Sequence, residues 1–130
     1  MIKINGKKIG IVRGDYLPLT VTTKNADGSD YIFQLDDVLR FKVFERKNVD
    51  NVFLEKDFKV SEASTEVLIE LTSDEMKIGE LIDKPKEYWY EIELNPDKPK
   101  AQTIVGYEEE TGPAILRLLP EGGDIRNDRS

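Results

Sequence analysis

Apolar and polar residues alternate with a period of two along most of this chain. That is the spacing of strands with one buried face, not of helices. In Tyr16–Thr23, Leu17, Leu19 and Val21 fall on one side, and Pro18 on the other marks a strand start or an edge. Tyr31–Leu35 predicts a second strand after the Asp-Gly turn in "NADGSD". Val38–Arg46 is the clearest alternation, with Leu39, Phe41 and Val43 opposite Arg40, Lys42 and Phe44. Val52–Val60 and Glu66–Leu71 predict two more strands, with a polar turn at Lys47–Asn51 before the first.

"TSDEMKIGEL" then breaks the period. Thr72 or Ser73 can cap one or two helical turns that Gly79 ends, a corner between strands rather than a packing helix. Glu87–Leu94 alternates again, with Tyr88, Tyr90, Ile92 and Leu94 against Trp89, Glu91 and Glu93. "QTIVGYEE" and "AILRLLP" supply the last strands. Many short strands joined by turn residues predict an all-β sandwich or small barrel. One domain is expected over residues 1–120, with a polar tail at 121–130 that frays.

Composition narrows the chemistry. Of the 130 residues 35% are charged, and the net charge is -7. An acidic balance without a Lys/Arg block disfavours nucleic acid and anionic membranes as partners. Cysteine and histidine are both absent, which removes thiolate chemistry, disulfides, imidazole bases and the commonest metal ligand. No apolar run has the length of a signal peptide or a membrane span. Synthesis in a reducing cytoplasm without a signal peptide is the expectation.

Four groups of residues could carry function. Asp27, Asp30, Asp36 and Asp37, and separately Glu108–Glu110, are oxygen-rich loops of the kind calcium uses, but the spacing is not that of an EF-hand. Turn carboxylates that bond their own backbone are the preferred reading. A pair of carboxylates across a cleft would be needed for glycoside hydrolysis, and no enzyme activity is expected here. Tyr88-Trp89-Tyr90 is an aromatic run, yet on a strand Trp89 points away from its neighbours, outward among Glu91 and Glu93. Outward aromatics mark contact surfaces, so Trp89, Phe44 and Tyr31 are the candidate interface residues. Finally, Arg13-Gly14-Asp15 spells a tripeptide that integrin-type receptors bind, but the preferred reading is the turn into a strand, for which glycine and aspartate are suited.

Taken in order, "RGD" into "YLPLTVTT", "NADGSDYIFQL", "DDVLRFKVFER", "LIELTSDEMKIGE", "YWYEIEL" and "QTIVGY" form a recognisable succession. Over residues 10–119 the chain resembles small structural proteins of tailed bacteriophages and prophages of Gram-positive bacteria. It is most similar to the N-terminal domain of the baseplate upper protein family. The resemblance implies an immunoglobulin-like β-sandwich of about eight short antiparallel strands with one short helical turn. It implies a non-enzymatic structural part of a virion, in the tail or baseplate, without cofactor or metal. The expected partners are other tail or baseplate proteins and further copies of the chain. In that family the domain heads a longer chain; here either a stand-alone baseplate or tail accessory, or a distant sandwich used elsewhere in the virion, is the expectation. The alternative is a carbohydrate-binding or adhesion module that uses surface aromatics and acidic loops.

Overall fold

The computed structural model describes residues 3–5, 7–45 and 48–121. Nine strands are present among them: β1 (Lys3–Asn5), β2 (Lys8–Val12), β3 (Leu17–Val21), β4 (Val38–Glu45), β5 (Asn48–Lys59), β6 (Val67–Leu71), β7 (Lys86–Leu94), β8 (Gln102–Val105) and β9 (Ile115–Leu119). The large sheet runs β1-β2-β9-β7-β4-β5, with β8 paired to the C-terminal half of β7. The small sheet is β3–β6. In the lettering of immunoglobulin sandwiches, β4, β5, β7 and β9 take the places of C, C′, F and G, and β3 and β6 those of B and E. The protein is therefore an all-β sandwich, as its period predicts.

The core lies between the sheets because one apolar set from each strand has nowhere else to go. Ile9 and Ile11 of β2, Leu39, Phe41 and Val43 of β4, and Leu116 and Leu118 of β9 are at most 1% exposed. Tyr88, Tyr90, Ile92 and Leu94 of β7 join them, and Leu17, Leu19, Ile69 and Leu71 close the core from the small sheet. Truncating one such side chain to alanine removes about 2–5 kcal/mol. Tyr90 keeps its polar tip satisfied: its hydroxyl donates to the Lys7 carbonyl at 2.7 Å. Burial pushes that phenol up to about 12.

Three details depart from the sequence expectation. β2 and β9 pair in parallel, with Lys8 opposite Ile115 and Val12 opposite Leu119; the other pairings are antiparallel. Tyr31–Leu35 is no strand. It makes one isolated bridge, Phe33 to Ser64, and a turn at Asp36, where φ is 74°, ends it before a ladder can form. The turn expected at Lys47–Asn51 is largely strand, since β5 already begins at Asn48; Lys47 lies outside the described residues. Arg46, the expected end of the β4 alternation, is outside them too.

The corner at Thr72 behaves as its sequence predicts but does not propagate. Thr72 Oγ1 accepts from the Glu75 amide, and Glu75 Oε1 accepts from the Thr72 amide. That reciprocal cap encloses one turn, closed by the Met76 amide on the Thr72 carbonyl at 3.0 Å. Gly79 stops it with φ of 64°, and a Cβ there would meet the Tyr88 hydroxyl at 2.8 Å. Of the tail at 121–130, Glu121 is described and bonded to Arg13. Residues 122–130 lie outside the described residues.

Candidate functional site

Trp89 and Phe44 are brought together and Tyr31 is not. Phe44 of β4 is in register with Trp89 of β7, on the sheet face turned away from the core. Their ring centroids are 6.4 Å apart at an edge-to-face angle of 74°. The same row continues to Val52 on β5 and Ile115 on β9. An apolar line thus crosses four strands on the outer face of the large sheet. Phe44 is its buried base, only 2% exposed, and so not the free contact residue that alternation alone implies. A register shift beside Val43 and Phe44, together with the indole above, accounts for that burial.

Tyr107 completes the row from a hairpin. Its ring lies 6.0 Å from that of Trp89, tilted 35°, and the residue is 65% exposed. The hairpin closes by paired backbone bonds between Glu108 and Gly112. Lys7 fastens it from beneath, donating to the carbonyls of Gly106 at 3.0 Å and Gly112 at 2.7 Å. Between Trp89, Tyr107, Phe44, Glu91, Thr103 and Pro113 lies a cleft of about 220 Å³. Ligand pockets usually enclose ~300–1,000 Å³, so this cleft suits one side chain or one small ring.

Beyond the apolar row the same face turns ionic. Lys42 lies 3.5 Å from Glu93 and 3.9 Å from Glu55. Arg40 grips Asp57 with two bonds, at 2.8 and 3.1 Å, and reaches Asp97 at 3.2 Å. The Arg40 bonds hold the Asp57 carboxyl below its ordinary range. Glu91 borders the cleft, and burial, reinforced by neighbouring Glu93 and opposed by Lys42, raises its pKa.

Tyr31 belongs to a different corner. Its hydroxyl donates to Asp37 Oδ2 at 2.7 Å, and its ring stands edge-on to Phe33 at 5.2 Å. Burial, with the adjoining Asp37 carboxylate, pushes the phenol up to about 12. Burial also opposes ionisation of Asp37, but bonds from the Gln34 amide, Asn95 and Tyr31 outweigh it and leave its pKa lowered. Asp37 is therefore a structural pin between this loop and the β7 end, where Asn95 accepts the Val38 amide at 2.9 Å.

The other acidic corners are likewise engaged. Asp27 accepts the Ser29 amide and hydroxyl, and Asp36 pairs with Lys59 at 3.2 Å. Among the described residues no group of three acidic side chains is placed to hold a metal ion. Arg13 of the RGD tripeptide is 8% exposed. Its guanidinium points inward and donates to the carbonyls of Ile78 at 2.9 Å, Gly79 at 2.8 Å and Lys77 at 3.2 Å, and to Glu121 at 2.7 Å. Gly14, with φ of 88°, makes the turn and bonds the Met76 carbonyl. The tripeptide is a corner brace, with its cation spent inside the fold.

Tyr107, Val52 and Ile115 are members of the surface that alternation alone does not reveal, because their neighbours come from distant segments. No protein-family model, curated protein or solved structure matches the chain. Among the described residues no helix is long and apolar enough to cross a membrane.

Proposed function

We propose that the chain is a non-enzymatic assembly module, a structural component of a bacteriophage or prophage virion in its tail or baseplate. The observation that carries the assembly role is the in-register row Val52–Phe44–Trp89–Ile115 with Tyr107 beside it. It is a half-exposed aromatic centre with a rim of paired charges, the anatomy of a protein contact. The setting is supported by the succession of segments that resembles baseplate upper proteins. Partners are then neighbouring tail or baseplate proteins and further copies of the chain.

Trp89 is the sole tryptophan, so its fluorescence reports on this surface directly. Co-expression with the proteins of adjacent tail genes should give a stable complex with blue-shifted emission. Tyr107→Ala should weaken that complex by about 2 kcal/mol or more if the row is its centre. A complex unaffected by Tyr107→Ala, with emission unchanged, would remove the row from the assembly role.

A second reading draws on the same cleft, where Trp89 and Tyr107 border Glu91 and Thr103: a carbohydrate-binding module holding one sugar ring. Saturable quenching of Trp89 by a glycan, in the absence of any tail-protein complex, would favour it.

A further inference from the structure

We infer that the free edge of β3 accepts an extended, uncharged segment of a partner polypeptide as an added strand. Among the described residues β3 pairs only with β6, so its other edge presents backbone groups without a ladder. Pro18 sets the phase. It has no N–H, and within a ladder it is tolerated where its nitrogen faces away from the neighbouring strand. By the period of two, the N–H and C=O of Thr20 then face the free edge as well.

Beside that edge a groove of about 200 Å³ opens between the sheets. Ile9, Ile92, Leu19 and Val21, all core residues, line it together with Tyr90 and Val105. An added strand would bond along the edge and set alternate side chains into the groove, the division of labour known for strand addition.

Charge and area select the occupant. The edge "LPLTV" carries no charge, although 35% of the chain is charged. Among the described residues that line the groove the one cation, Lys7, is turned onto the Gly106 and Gly112 carbonyls. A basic segment finds no counter-charge there, and an acidic one meets a molecule of net charge -7. The five residues of β3 span only about 17 Å. At the ~5 Å spacing between paired strands that edge covers on the order of 100 Å², far short of the roughly 800 Å² per partner that a standard interface between globular bodies needs. A linear neutral segment of about five or six residues fits where a second copy of the whole domain does not. This site is independent of the Trp89 row, and either can fail without the other.

The test uses the full chain and a capped peptide of about six residues, alternating valine and threonine, followed by amide chemical shifts. The expected result is saturable binding with shifts centred on Leu19, Thr20, Val21 and Ile92. Thr20→Pro, which removes the outward donor, should weaken it by about tenfold, the equivalent of one hydrogen bond. Val105→Trp, which fills the groove without entering the β3–β6 ladder, should weaken it as well. A peptide N-methylated at alternate amides tests the same bonds on the unaltered protein and should lose binding. Absence of saturation, shifts centred on β5 or Trp89 instead, or equal binding by the N-methylated peptide would each overturn the inference.

Discussion

Among the described residues β5 and β3 both leave one strand edge open, but the residues along them differ in kind. β5 carries Glu55, Lys56 and Asp57 in succession and, past Phe58, Lys59. Lys56 stands opposite fully buried Phe41, on the core side of the sheet. There its ammonium lies 5.2 Å from the Phe58 ring centre and pairs with Glu75 at 2.9 Å. A register shift near Phe53 bends the same strand. Inward charge and a bulge are the standard protections of an edge against adding another chain. β3 has neither; its guard is Pro18, which withholds one donor from an edge that is otherwise apolar and threonine-lined and opens over a groove. The contrast teaches that exposure of an edge is not enough to identify a docking strand. What matters is whether the sequence spends charge on closing it.

The largest effect should come from reading the hydrogen-bond phase of β3. Leu19→Pro removes a donor facing β6 together with a buried core side chain and is expected to cost about 3 kcal/mol or more. Thr20→Pro removes one facing the open edge and is expected to cost much less. Urea midpoints compare the two directly, and equal losses would reverse the phase on which the contrast rests.

Next comes removal of the guard. Lys56→Val converts the inward charge of β5 to a β-branched apolar residue. Sedimentation velocity should then show concentration-dependent association, at a cost in monomer stability of about 1 kcal/mol or less. A protein that stays monomeric would mean that the bulge alone protects the edge.

Acid should separate the edges more gently. Asp57 is held low by Arg40, and Glu75 by the Thr72 amide and Lys56; Asp37 is lowered too. Because these folded values lie below the unfolded ones, near 4, the stability they lend is complete above that range. It is lost as pH falls through the folded values. Thermal midpoints should therefore decline from about pH 5 downward, while peptide affinity at the titration-free β3 edge holds as long as the fold does. A flat profile would show that these pairs contribute nothing. The smallest effect is that of Arg40→Lys, which loses the two-pronged grip on half-exposed Asp57 and should cost roughly 0.5 kcal/mol in urea unfolding.

Much of this architecture is legible in the alternation of β4, β7 and β9, where each apolar position that the pattern places inward is buried. Thr72 and Glu75 announce their cap by type and spacing. What alternation cannot reveal is which strand lies alongside which. Tyr31 and Phe33 pack against the core, so Tyr31 is not the outward aromatic expected of it, and among the described residues no row of partners pairs with this segment. Phe44 reads as outward, which is right for its face. Its burial depends on Trp89 and a register shift that only the assembled sheet contains. Tyr107 gains its place through Lys7 and a hairpin distant in sequence. The parallel pairing of β2 with β9 joins the two ends of the domain and leaves no local trace.

That parallel pair also decides how the molecule bears tension. Lys8 and Ile115 lie side by side at one pole, Val12 and Leu119 at the other. A pull on the chain before β2 and after β9 drags the two strands lengthwise past each other. Their cross-bonds are then strained together, in shear, instead of being opened one at a time as in a peeling hairpin. Loaded from those two points, the sandwich meets traction with its central ladder acting as a whole.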